Sequence, residues 1–436
     1  MRTTGLLIGG ALGVVLLLAL AGTARPAVPA APPPAGASAG PRRPFPAHVA
    51  YAPGTLRPSQ FTQAELDDHV RQFYQAWKRD YLVPAGVSAT GRPRYRVAFG
   101  TGSSATVSEG QGYGMIIVAY LAGHDPAAQT LFDGLWAFAR AHPSGGDPRL
   151  MTWKVDGDAA VEGNASAFDG DADMAYALLL ADAQWGSAGA VDYRQAALTL
   201  LDGILAATIG ATSRLPLLGD WVEPDGTPYS QGTPRTSDIM PAHFRAFGRA
   251  TGDARWAAVI RQSQAAILAI QAEYSPLTGL VPDFLIGCAV ACAPAPAGFL
   301  EGPHDGHYHY NAGRVPWRIG SDAVLNGDAA STAIVRRLVA WLNGAAHGSA
   351  LQIKAGYQLD GTANGDYFTT FFAAPVGVAA MASPTQQAFL DDIYLHVHDR
   401  HEGYYEDSVT LLSLLVLTGN AWDPTATTSH VPFVAR

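Results

Sequence analysis

The run Asp171-Ala172-Asp173-Met174-Ala175-Tyr176-Ala177-Leu178-Leu179-Leu180-Ala181-Asp182-Ala183-Gln184-Trp185-Gly186 carries Met174, Ala177, Leu178, Ala181 and Trp185 on one helical stripe. This is the i, i+3, i+4, i+7 spacing of a helix face, and Gly186 supplies the stop. The pattern recurs outward from there. Trp256, Val259, Ile260 and Ile267 mark a helix that starts after Asp253, a suitable cap, and Ile334, Leu338, Trp341 and Leu342 mark another. From Glu406 to Leu417 the chain is apolar nearly all round and stops at Gly419, which predicts a helix deep in the interior. About twelve helices are predicted in all, beginning near Gln63, Gly110, Pro126, Asp171, Tyr193, Asp238, Asp253, Pro316, Asp328, Tyr367, Pro384 and Glu406. Short strands are predicted only near Tyr95–Phe99 and Gly403–Tyr405. Helical hairpins without a parallel-sheet rhythm either close into a double ring or stack as a solenoid. No repeat of roughly 34 or 40 residues is present, so the expected fold is all-α, a closed α/α toroid. Long loops at 140–164, 213–237 and 277–316 exceed simple connectors and are the expected carriers of function.

The 436 residues are 48% hydrophobic and 15% charged, which excludes a mainly disordered chain. The formal charge of −9 is spread along the sequence and offers no basic face to phosphates, so nucleic acid is not an expected partner. Arg2, the apolar run Gly5–Ala21 and the small residues up to Ala24 form the pattern of a secretory signal over residues 1–24. The rival reading is a membrane anchor, because the run approaches the roughly 18 residues that span a bilayer. No later stretch suits a second span, and the expectation is an exported protein, extracellular or periplasmic, acting as a monomer. Residues 25–50, rich in Pro, Ala and Gly, are predicted to be an extended tether, and 51–436 a single folded domain.

Three segments carry chemistry. In Ser108-Glu109-Gly110-Gln111-Gly112-Tyr113-Gly114-Met115, Ser108 and Gln111 fit a capping box, which places Glu109 in a first helical turn. Each of the three glycines costs a helix roughly 1 kcal/mol against Ala, which points to close approach of a ligand to the backbone. In Phe168-Asp169-Gly170-Asp171-Ala172-Asp173, a calcium loop is excluded, because its sixth and twelfth positions are Met174 and Leu180. Three carboxylates so close are expected to repel and to raise the proton affinity of any carboxyl held beside them. The third segment runs from Glu301 through His304, Asp305, His307, His309, Tyr310, Asn311 and Arg314 to Arg318. Its histidines are read as ordinary loop residues, not metal ligands, and neither a metal nor a cofactor is expected. Cys288 and Cys292, in an exported protein, are expected to form a disulfide that closes a very small loop. No nucleophile elbow and no phosphate-binding loop is present. Trp153, Trp221, Tyr229, Tyr310 and Trp317 fall in or beside the long loops among Asp and Arg residues. Paired carboxylates with aromatic platforms are the minimum for glycosidic hydrolysis, so a polysaccharide is the expected substrate.

Together these segments resemble glycoside hydrolase family 8. The likeness rests on Ser108–Met115, on Asp169–Trp185, on Tyr310–Arg318, and on Tyr404-Tyr405 with the Leu411–Leu415 run. The resemblance implies an (α/α)6 barrel and an inverting endo-hydrolase of β-1,4-linked chains such as cellulose, mixed-linkage glucan, xylan or chitosan. It assigns Glu109 as general acid and Asp169 as the residue that holds the distorted sugar at the cleavage point. Arg314 matches the arginine beside the base, and Trp153 and Trp221 match stacking tryptophans. One departure matters. Where many members read Tyr-Asp-Ala-x-Arg, this chain reads Tyr310-Asn311-Ala312-Gly313-Arg314, and an amide cannot take a proton from water. A subgroup with its base on an inserted loop makes Glu301 the candidate, with Asp305 and Asp238 as second choices. Asn311 also invites the alternative that the chain binds polysaccharide on the same fold without turning it over. A magnesium-dependent cyclase toroid suits neither the export signal nor the tryptophans.

Overall fold

The computed structural model describes residues 40–426, so the signal and most of the tether lie outside the described residues. Twelve α-helices occur in this part: α1 Gln63–Tyr81, α2 Ser108–Tyr120, α3 Ala128–Ala141, α4 Phe168–Trp185, α5 Tyr193–Ala207, α6 Pro241–Thr251, α7 Arg255–Glu273, α8 Val315–Asn326, α9 Ala329–Ala345, α10 Thr370–Met381, α11 Gln387–Val397 and α12 Tyr404–Leu417. Each lies where the apolar periodicity predicts it. The even-numbered helices touch one another in the closed order α2, α4, α6, α8, α10, α12 and back to α2, and each odd-numbered helix packs outside its neighbours. This is the (α/α)6 barrel. Composition sorts the two rings: all twelve residues of α10 and all of α2 except Glu109 are buried, whereas outer helices such as α1 and α3 are amphipathic.

The short strands are β1 Leu82–Val87, β2 Pro93–Val97, β3 Ala105–Val107, β4 Lys154–Asp156, β5 Ala159–Ala160, β6 Leu285–Ile286 and β7 Ala293–Pro294. β1–β2, β3–β4–β5 and β6–β7 are antiparallel and lie in loops that precede inner helices. The expected strand at Gly403–Tyr405 is instead the cap and first turn of α12, because Tyr404 and Tyr405 fit the inward face of an interior helix.

Two further expectations change. Gly40–Ala50 belongs to the fold, not to the tether: Phe45 is buried, and backbone N–H groups of Arg42, Phe45 and Val49 donate to the carbonyls of Gln184, Ala122 and Gly419. The strap thus ties together the C-terminal ends of α4, α2 and α12. Its prolines, useless for a helix, suit an extended segment that pairs along three helix ends. Nor do the glycines of α2 admit a ligand. A Cβ at Gly110 would strike Tyr404, one at Gly112 would come 2.6 Å from Asp173 Cβ, and one at Gly114 would strike Val97. They let α12, α4 and β2 approach the helix. Among the described residues no helix is long and apolar enough to cross a membrane.

Candidate active site

All six inner helices run the same way, because each returns through an outer partner. Their N-terminal ends therefore meet at one mouth, where the helix dipoles favour negative charge. Glu109 sits in the first turn of α2 and Asp169 in that of α4; Arg314 directly precedes α8, and Tyr405 opens α12. These residues line a cleft of about 390 Å³ together with Phe99, Trp153, Lys154, Arg235, Glu301, Tyr310 and Asn311. The capping box is absent. Val107 is the N-cap, Ser108 is already helical and buried against Gly170, and Gln111 instead bonds Val97, Tyr95 and Leu135.

Arg314 is the hub of the site. Its Nη1 contacts Glu109 Oε1 and lies 3.0 Å from Asp169 Oδ2, while Nη2 donates to Asn311 Oδ1 at 2.7 Å. Burial pushes its guanidinium down to about 10. Asp169 is therefore no bare like charge beside Glu109, as the acidic cluster suggested, for a cation touches both. Tyr113, one turn along α2, donates its hydroxyl to Glu109 Oε1 at 2.8 Å, and burial holds that phenol well above its usual range, so it stays a donor. The three clustered carboxyls point to different partners. Burial raises Asp169 against the nearby Arg235, Asp171 accepts the Met151 N–H, and Asp173 is held by both terminal nitrogens of Arg318 at 2.6 Å.

Across the cleft, Asn311 Nδ2 donates to Glu301 Oε2 at 2.8 Å, and Arg235 Nη2 donates to Glu301 Oε1 at 3.2 Å. An unbroken chain of contacts runs Glu109, Arg314, Asn311, Glu301. The ends differ in exposure: 17% of the Glu109 side chain is open to solvent against 49% for Glu301. The second-choice acids are placed elsewhere. Asp305 is buried and accepts the backbone N–H groups of Leu300, Glu301 and Gly302, shaping the loop that presents Glu301. Asp238, expected to touch substrate, is fully buried behind Arg235, 3.7 Å from its Nη1, and is not part of the cleft wall. Its neighbours in the short 3-10 turn Thr236–Asp238, Thr236 and Ser237, are buried with it.

Trp153 reaches the cleft because β3 pairs with β4 and Trp153 O accepts the Ser108 N–H at 2.8 Å, beside Glu109. Trp221 does not line it; 41% exposed, it stands edge-on to Tyr229 at 5.0 Å. Tyr310 stacks on Phe371 at 5.1 Å and hydrogen-bonds Tyr367. Cys288 and Cys292 form a disulfide in the turn between β6 and β7. His304 and His307 face each other, Nδ1 to Nδ1, at 3.1 Å. The sequence assigns no role to Tyr113, Arg235 or Asp283, and names Tyr405 only as part of the family likeness. For Tyr113 a signal existed, its i+4 spacing from Glu109; for Asp283, its place as the one charge in the apolar run Leu280–Leu285. Asp283 accepts N–H groups from His309 and Ala312, yet burial still pushes it up to about 8.

A ring of inner and outer helices whose mouth holds carboxyls on both sides of a sugar-sized cleft, with an aromatic platform, is the build of a glycoside hydrolase. The chain belongs to the glycosyl hydrolases family 8, whose model matches residues 66–419. It is 41% identical over 388 residues to a beta-glucanase from Niallia circulans, covering 88% of this chain and 93% of that one. To an endoglucanase from Bacillus sp. (strain KSM-330) it is 38% identical over 395 residues, covering 88% and 82%. Among solved structures, the apo beta-1,3-1,4-glucanase from Paenibacillus sp. X4 is 39% identical with a TM-score of 0.84, covering 88% of this chain and 100% of that one.

Proposed function

We propose that the protein is an exported, monomeric, inverting endo-hydrolase of β-1,4-linked glucan, with mixed-linkage β-1,3-1,4-glucan as its preferred substrate. The observation that carries this reading is the pair Glu109 and Glu301 in one cleft, kept apart by a guanidinium and an amide. Inversion needs such a gap, roughly 6.5–9.5 Å, to seat a water between base and sugar. Glu109 gives its proton to the glycosidic oxygen as the C1–O bond breaks. Glu301 takes a proton from the water that attacks C1 from the opposite face. Asp169, held by Arg314 and Arg235, binds the sugar at the cleavage point in this reading, and Trp153, on the cleft wall, stacks beneath the next ring. Asn311 thus leaves the cleft with a second carboxylate, which favours turnover over mere binding.

The cleft wall carries Lys154, Arg235 and Arg314 against Glu109, Asp169 and Glu301. Three cations against three acids give no acidic excess to receive polycationic chitosan, so the −9 charge of the whole chain is a poor guide here. The names of the relatives at 41% and 39% identity point the same way. The direct test is Glu301→Ala. Activity on barley glucan should fall by about 10²-fold or more, and added azide should restore turnover with an α-glycosyl azide visible by NMR. Full activity without azide would remove Glu301 from the role. Reducing-sugar release from barley glucan, carboxymethylcellulose and chitosan, compared side by side, should be fastest on barley glucan; a preference for chitosan would overturn the substrate assignment.

A further inference from the structure

A groove of about 460 Å³ opens on the outer ring of the barrel, apart from the cleft. Its walls are the β1–β2 hairpin with Arg92 and Pro93, the outer helix α3 with Thr130, Asp133 and Trp136, and Val191 just before α5. None of these residues lines the cleft. The walls are locked together. Gly134 lets β2 sit directly on α3, since a Cβ there would strike Tyr95, and Tyr193 at the start of α5 donates its hydroxyl to Asp133 Oδ1 at 2.5 Å. Trp136 is held by Arg140, whose guanidinium carbon stands 5.6 Å from the ring centroid and whose terminal nitrogens donate to the carbonyls of Arg149 and Pro148. The groove is thus preformed.

Its free groups define what it can take. Trp136 is partly exposed. Its Nε1 and Asp133 Oδ2 are open to solvent and have no hydrogen-bond partner among the described residues, and Arg92 and Asp133 make no ion pair with each other. A donor, an acceptor and a guanidinium therefore stand unused around an aromatic surface. One acid against one base leaves no net charge, which suits a neutral ligand better than a polyanion or a polycation. A neutral ligand with an apolar C–H face for the indole and hydroxyls for the polar rim is a sugar ring. The groove between α6 and α7 makes the contrast: its Trp256 is fully buried and offers no face. Position fits a polymer as well. β2 starts at Pro93 in the groove wall and leads to Phe99 on the cleft wall, roughly 20 Å of extended chain away.

We propose that this groove is a second β-glucan-binding site, which holds the polymer while the cleft cleaves it. The proposal rests on the reading of β-glucan as the substrate. A chain held at the groove raises the local concentration of its own segments at the cleft, so the gain is confined to substrates long enough to reach both.

Two independent variants test it. Trp136→Ala removes the platform, and Ala190→Arg fills the groove from an exposed position on its rim. Each should raise KM for barley glucan about tenfold and weaken retardation in a native gel containing that polymer by a similar factor. Values of kcat and KM on a cello-oligosaccharide too short to span both sites should stay at those of the parent. Unchanged retardation and polymer KM in Ala190→Arg overturn the proposal, even if Trp136→Ala fails to fold. So does an equal loss on the short oligosaccharide, since the effect would then act through the cleft. The substrate reading fails separately, if the parent enzyme prefers chitosan to barley glucan. Retardation of the parent by barley glucan, weakened in both variants, would still mark the groove.

Discussion

At the N-terminal end of the inner ring, α2, α4 and α12 present Glu109, Asp169 and Tyr405 to an open cleft, whereas at the C-terminal end of the same helices the ring is shut. There Trp422 is buried, its carbonyl receives the hydroxyls of Tyr120 and Tyr176, and the strap 40–50 crosses the helix ends. Charge follows the same division. Carboxyls gather at the mouth, where helix dipoles are positive; Arg42 packs on Gly186 and Arg57 on Gly419, where they are negative. Long loops with short strands surround the mouth, and hydrogen-bonded chain covers the base. The mouth can gather carboxyls because Arg314, Arg235 and Arg318 stand between them, while the other end is closed by packed and hydrogen-bonded chain.

Substitutions at the two ends should separate activity from stability. The largest effect is expected for Glu109→Gln at the mouth, with kcat on barley glucan reduced about 10⁴-fold. Its thermal midpoint should stay near that of the parent and binding of intact polymer should persist; near-normal turnover would remove Glu109 as the acid. At the base, Phe45→Ala should destabilise the protein by about 3 kcal/mol, read from denaturant unfolding, while kcat per folded molecule is unchanged. If activity fell before stability did, the two ends would not be separable. The smallest effect is expected for Trp153→Ala, which removes a stacking face and should raise KM for oligosaccharides several-fold, about 1 kcal/mol, without altering the pH profile.

The helices were legible because two simple signals coincide in this sequence. Interior helices such as Thr370–Met381 and Tyr404–Leu417 are apolar on every side, outer ones carry a stripe, and Gly or Asp marks their ends. The site was legible where chemistry and local structure share a segment, as at Glu109, Asp169 and Asn311 with Arg314. It was illegible where partners meet only across loops. Arg235 reaches Asp169 and Glu301 from a segment 66 residues away from either, a relation no local pattern encodes. Trp221 and Asp238 depart from expectation for a related reason: the type of a loop residue does not record whether it faces the cleft or lies away from it, and these two lie away. The glycines of α2 suggest room for a ligand because sequence shows the missing side chain but not the neighbour that fills the space.

The far end has one more consequence. The guanidinium of Arg43 donates to the carbonyls of Asp423 and Ala426, so the first and last stretches of the described chain lie side by side there, at the face opposite the cleft. A support, fusion partner or short peptide joining the two would attach behind the barrel, and immobilised or circularised enzyme would keep its mouth free for long polymer chains.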